Sequence, residues 1–224
     1  MPRVLAFDVN ETLLDLSALD PHFESAFGDA ALRGQWFAQM LQLAFVGGLT
    51  RSYVNFSEAQ RAALEMLARR TGRTVDEGTA AQIAATMRNL PSHPEVAGAL
   101  ARLGDAGFRL VALTNSTAEV AHDQLANAGL AGHFDDAISS DEIRSLKPAP
   151  APYHLVAERS EVPIGEVRLI AAHAWDVAGA LAAGCSAAFV ARPGMVLSPL
   201  GPQPDVVGAD LDEVAAKILA LDGQ

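Results

Sequence analysis

Short apolar runs that each stop at a polar residue recur along the chain, at 4–9, 110–115, 136–140, 168–173 and 187–191. Runs this short and this continuously apolar suit strands buried on both faces, as in a parallel sheet. Between them lie helical patterns at 94–106, 117–128, 150–159 and 176–183, three of them closed by Gly107, Gly129 and Gly184. Glycine is the residue that best tolerates the left-handed turn after a helix. The alternation predicts an α/β fold: an open parallel sheet with helices on both faces.

Residues 16–92 break the alternation and read as helix after helix with no strand between. Ser57 and Gln60 are spaced as a capping box opening a helix whose Ala63, Leu64 and Leu67 share a face, and Gly72 closes it. A second helix at 76–87 stops before Pro91. The expected organisation is an α/β domain of residues 1–15 and 93–224 carrying an all-helical insertion at 16–92. The stretch 192–205, with Pro193, Gly194, Pro202 and Pro204, reads as a loop, and 211–221 as a last helix.

With 224 residues, half of them hydrophobic, the chain can bury a sizeable core. A net charge of -11, with basic residues scattered singly or in pairs, argues against nucleic acid as a partner. The single cysteine, Cys185, excludes an intrachain disulfide, fits a reducing compartment, and lies in a small-residue run typical of a core. No apolar segment reaches the ~20 residues of a membrane span, so no membrane association and a cytoplasmic location are expected. The greasiest stretch, 40–49, suits either a buried helix or a dimer surface.

In open α/β sheets, ligands bind outside the carboxyl ends of the strands. Asp8, then Thr114, Asn115 and Ser116, then Lys147, then His173 through Asp176 fall at four such ends. Singly, each has an ordinary structural reading: Asp8 caps a turn, Thr114 caps a helix, Lys147 is solvated, Asp176 is an N-cap. In order at four strand ends, they read as one site.

These segments, FDVNETLLD (7–15), LTNS (113–116), Lys147-Pro148 and AHAWD (172–176), resemble the four motifs of the haloacid dehalogenase superfamily. The resemblance spans nearly the whole chain, helical cap included, and implies a Rossmann-like core. YVNF (53–56), KPAPAPY (147–153) and AWD followed by Gly179 resemble the L-2-haloacid dehalogenase branch. That resemblance implies a hydrolase in which the Asp8 carboxylate attacks carbon 2 of a short 2-haloacid. Halide leaves with inversion, and water hydrolyses the aspartyl ester. Lys147 would orient Asp8 and offset its charge, while Asp176 would keep Lys147 charged and help orient the water. Thr12, Thr114, Asn115 and Ser116 would bind the substrate carboxylate or fix the nucleophile. Tyr153 would support the lysine or the pocket wall, Trp175 would supply apolar surface, and Asn10 and Phe37 would border the substrate. The partner is a small molecule, and relatives suggest a homodimer by analogy.

Asn10 separates two chemistries. Superfamily phosphatases carry at that position an aspartate that protonates the leaving alcohol, which an amide cannot do. They also hold Mg²⁺ through an acid that falls here on Ala171. The resemblance therefore implies no metal and no cofactor, with Mg²⁺ belonging only to the alternative of a small-metabolite phosphatase. A scaffold that binds without turnover is the remaining alternative. Three positions depart from the dehalogenase pattern, one of them Ala171, where that branch carries a serine. The halide-binding arginine falls on Phe37, with Arg33 or Arg51 as stand-ins. An asparagine falls on His173, which at an ordinary pKa of ~6.5 either activates water or serves a structural role.

Overall fold

The computed structural model describes residues 3–222. Six strands, β1 (Val4–Phe7), β2 (Arg109–Thr114), β3 (Asp136–Ser139), β4 (Val167–Ala171), β5 (Ser186–Val190) and β6 (Val206–Gly208), form one sheet in the order β3-β2-β1-β4-β5-β6. Every pairing is parallel. Five strands match the apolar runs to within two residues at each end. The sixth, β6, falls outside them because three residues, with Val207 at 40% exposure, are too few to form a recognisable run.

The sheet buries both faces, and residue alternation sorts side chains between them. Val4 and Ala6 face one way with Val111 and Leu113, under α7 (Pro150–Arg159) and α8 (Ala174–Ala183). Leu5 and Phe7 face the other way with Leu110 and Ala112, against α5 (Val96–Asp105) and α9 (Leu211–Asp222). Helix α6 (Ala118–Asn127) links β2 to β3. The chain winds outward from β1 to β3, then returns to lay β4, β5 and β6 on the other side. The winding reverses between β1 and β4, and the crevice outside their carboxyl ends is where such a fold leaves room for a ligand.

Between β1 and α5 stand α1 (Asp20–Phe27), α2 (Leu32–Thr50), α3 (Phe56–Thr71) and α4 (Glu77–Arg88), with no strand among them. A bridge between Leu14 and Ser92 ties together the two ends of this helical segment. The capping box of α3 lies two residues earlier than Ser57 suggests. Asn55 Oδ1 accepts from the Glu58 amide at 2.8 Å, and the Asn55 amide donates back to Glu58 at 3.1 Å. Asparagine satisfies the orphan amides of a first turn as well as serine does, and the cap here admits Phe56 into the core. Helix α2 is divided: Trp36, Phe37, Met40 and Ala44 are buried, while Leu49 is 85% exposed. Among the described residues no helix is long and apolar enough to cross a membrane.

Candidate active site

Strand β1 ends at Phe7, whose register with Ala112 and Ile170 carries the next residue, Asp8, to the rim between β2 and β4. Its amide is held by the Ile170 carbonyl at 3.0 Å. Three donors meet its carboxylate. Lys147 Nζ reaches Oδ1 at 2.9 Å, while Thr12 Oγ1 (2.7 Å) and His173 Nδ1 (2.9 Å) reach Oδ2. Thr12 is in turn fixed by accepting the Ala172 amide at 2.9 Å.

Lys147 is fully buried, and its ammonium spends three donors on Asp8, Asp176 Oδ2 (2.6 Å) and the Leu113 carbonyl (2.9 Å). The Asn115 side chain clamps the Lys147 backbone, accepting its amide at 2.8 Å and donating to its carbonyl at 3.0 Å. Asp176 is not the N-cap of α8. His173 holds that position, and Asp176 lies in the first turn with both oxygens taken, by Lys147 and by the Tyr153 hydroxyl at 2.5 Å. Gly179 permits this packing, since a Cβ there would stand 2.6 Å from Pro148 Cβ and 2.7 Å from Tyr153 Oη.

The charges follow from these contacts. Burial alone would raise the Asp8 carboxyl, but Lys147 and His173 outweigh it and hold it well below the usual carboxylate range. Burial would likewise lower Lys147, and the carboxylates of Asp176 and Asp8 raise it instead. Asp176 is raised, by burial first and by the nearby Asp8 charge, making it the more basic carboxylate of the pair. His173 departs most from expectation. Burial would lower it, yet hydrogen bonds to Asp8 and Glu11 push it up to about 10, so it is an imidazolium at neutral pH. A shift in this direction favours the charged, donating form of the ring over the neutral form that would accept a proton from water. Burial pushes the Cys185 thiol up to about 12, in keeping with a core residue.

Asp8, Asn10, Phe37, Leu41, Phe56, Thr114, Asn115, Lys147, His173 and Trp175 enclose a cavity with about 10 Å³ open to the centre of a water molecule. That is the space of about one water. Thr12, Ser116, Tyr153 and Asp176 stand behind this wall and act on it through other groups. The Ser116 amide donates to Thr114 Oγ1 and is thereby occupied, while its hydroxyl oxygen accepts from Asn10 Nδ2. His173 stacks between Phe37 and Trp175, with ring centroids 5.8 and 5.1 Å away. The indole N–H of Trp175 is buried without an acceptor. Larger cavities adjoin this one: 410 Å³ on the other side of Phe37, Leu41, His173 and Trp175, and 590 Å³ beside α2 and the Lys147-Pro148 loop, while one of 470 Å³ lies farther off over α3–α4.

Neither stand-in arginine reaches this cavity. Arg33 is bound to Asp20 at 2.5 Å and to Glu11 at 3.5 Å, and Arg51 is an exposed residue just past α2. A Mg²⁺ ion does not fit the donors present. Lys147 occupies the space between the Asp8 and Asp176 oxygens, Ala171 offers no ligand, and among the described residues no three of His, Cys, Asp and Glu gather around a common point. Two residues are absent from the sequence reading. Glu11 Oε2 lies 2.9 Å from His173 Nε2. Gln124 donates to Asn10 Oδ1 at 3.0 Å and so turns the Asn10 amide nitrogen toward Ser116. Both are long-range pairings with no local spacing to betray them.

A carboxylate clamped by lysine, threonine and histidine thus stands at the switch point of an α/β sheet, beneath a run of helices, the setting of a hydrolase of the α/β class. The chain belongs to the haloacid dehalogenase-like hydrolases, whose family model matches residues 2–184. It is 31% identical to haloacetate dehalogenase H-2 of Moraxella sp. (strain B) over 95% of this chain and 96% of that protein. It is 32% identical to the (S)-2-haloacid dehalogenase of Xanthobacter autotrophicus over 86% of this chain and 76% of that one. The solved L-2-haloacid dehalogenase of Xanthobacter autotrophicus with chloropropionic acid covalently bound superposes with a TM-score of 0.90, at 28% identity and full coverage of both chains.

Proposed function

We propose that this protein hydrolyses the carbon-halogen bond of a short 2-haloacid through an ester on Asp8, without metal or cofactor. The observation that carries this reading is the Lys147–Asp8–His173 clamp, which keeps a carboxylate ionised and oriented at the wall of a cavity that Trp175 also lines. Asp8 Oδ1, with a single hydrogen bond against two at Oδ2, has the freer lone pairs and attacks carbon 2, forming the C–O bond as halide leaves with the C–X electrons. Holding the carboxylate in line supplies orientation that is worth several kcal/mol, up to ~7–11 in the best intramolecular cases.

Halide departs without a proton, so Asn10 is no handicap. With Phe37 where an arginine would stand, the unpaired indole N–H of Trp175 and the nearby imidazolium are the groups that meet a leaving anion. In the second step water adds to the Asp8 carbonyl carbon. The developing oxyanion at Oδ2 receives the Thr12 hydroxyl and the charged N–H of His173, the kind of preorganised donor pair whose loss costs ~10²–10³ in rate. Lys147 protonates the departing alkoxide. Asp176, the more basic carboxylate, takes the water's proton once Lys147 has turned away from it.

The narrow cavity, under bulky Phe37, Leu41, Phe56 and Trp175, favours the smallest haloacids. The haloacetate dehalogenase among the relatives agrees with this preference. Halide release from chloroacetate in the presence of EDTA is the test. Release that persists with chelator and vanishes in Asp8→Asn is expected; absence of release from any 2-haloacid would contradict the reading.

A further inference from the structure

Glu11 is an unusual residue in an unusual place. It follows Asn10 in the turn after β1 with φ of 62°, one of the few non-glycine residues in the left-handed region. A side chain there is strained, and such strain persists only where the surroundings enforce it, commonly at functional sites. Its carboxylate is 13% exposed and bridges two cations: Oε2 accepts His173 Nε2–H at 2.9 Å, and Oε1 pairs with Arg33 Nη1 of α2 at 3.5 Å. Behind Arg33 stands Asp20, and the Glu11 carbonyl meets His93 Nε2 at 3.3 Å.

We propose that Glu11 is a positioning residue for the Asp8 chemistry: braced by Arg33, it holds His173 by Nε2 so that Nδ1–H points at Asp8 Oδ2, supplying from the sheet edge the cationic donor that Phe37 cannot. The proposal rests on the dehalogenase reading for its kinetic consequence but not for its structural one. A neutral imidazole has one N–H, and its tautomer is set by whichever neighbour takes it. Between two carboxylates both nitrogens donate, and the ring must carry both protons. The other charged groups near His173 are Lys147 and Asp176 beyond Asp8, and Arg33, Asp20 and His93 beyond Glu11, while its two faces meet the uncharged rings of Phe37 and Trp175. Esterification removes the charge of Asp8, leaving Glu11 as the one anion in contact with His173 while the oxyanion forms.

The test uses Glu11→Gln and Glu11→Gly in the full chain. Ring-nitrogen NMR shifts of His173, followed with pH in the resting protein, read the structural half without substrate. In both variants the midpoint is expected to move to lower pH by about one unit or more, the equivalent of removing one close anion. With chloroacetate, the alkaline limb of kcat should move down by the same amount, with KM changing less than kcat. Glu11→Gly relieves the strained φ and so offsets part of the stability lost with the two Glu11 ion pairs: its urea midpoint should lie above that of Glu11→Gln, while both lose about 10-fold or more in kcat. A purely structural Glu11 would give kcat losses that follow the urea midpoints, with Glu11→Gly the more active of the two. An unmoved His173 titration in either variant overturns the proposal, as does a kcat loss with no shift of the alkaline limb. Failure of the parent protein to release halide would overturn the dehalogenase reading instead, and leave the His173 titration standing on its own.

Discussion

At the scale of the residue, His173 separates this site from a generic carboxylate clamp. Its nitrogens join Asp8 to Glu11 at 2.9 Å each, so its charge is built in by two anions against the opposing pull of burial. In the proposed reaction that charge matters most at the ester, where Asp8 has lost its own. His173→Leu removes donor and charge together while keeping bulk between Phe37 and Trp175. Halide should still appear in a first-turnover burst, slowed by less than the steady state because the imidazolium is only one of the groups meeting the leaving anion, while steady-state kcat should fall by ~100-fold and a mass increase on Asp8 should accumulate in the acid-quenched protein. Equal slowing of burst and steady state, with no trapped ester, would remove His173 from the hydrolytic step.

At the scale of the element, α8 decides where Lys147 sits. The helix meets the Lys147-Pro148 loop closely at Gly179, where even a methyl group would press on Pro148 and on the Tyr153 hydroxyl that holds Asp176. Gly179→Ala is expected to cost about 1–3 kcal/mol in urea unfolding through overpacking. It should also lower kcat by ~100-fold, because displacing a catalytic group by about an ångström is enough for that. Unchanged kcat with intact stability would mean that the loop has slack the packing does not suggest. The elements themselves were largely legible beforehand. Buried runs and glycine stops located five strands and most helices, because a parallel sheet demands continuous apolar segments. What escaped was set by contacts distant in sequence. Asn55 rather than Ser57 caps α3, because both fit the spacing rule and only packing of Phe56 chooses between them. The strand β6 is recruited by β5 and not by its own composition. The side chains gathered around Asp8 were legible as residues at strand ends, whereas Glu11 and Gln124 were not, since each is paired across more than a hundred residues of sequence.

At the scale of the whole molecule, the buried charges make stability depend on pH in two opposite senses. His173 goes from 6.5 to about 10 on folding. Its contribution is therefore complete below 6.5 and is lost as pH rises toward about 10. Asp8 is depressed. Its contribution is present above the ordinary carboxylate pKa and lost as pH falls through its folded value. The urea midpoint should thus decline between about pH 6.5 and 10, and His173→Asn should flatten that decline. A parent curve as flat as the variant's would mean that His173 is neutral in the folded protein.

The sheet, the helical segment above it and the buried ion cluster all surround Asp8, which the proposed reaction makes an attacking group that becomes an ester. The most direct measurement is a single turnover of limiting chloroacetate in water enriched in heavy oxygen. Attack by Asp8 followed by hydrolysis at its carbonyl carbon predicts glycolate free of the label, with the heavy oxygen recovered in the peptide that contains Asp8. Label in the glycolate of that first turnover, with none in the peptide, would mean that water attacks the substrate directly and would contradict the account.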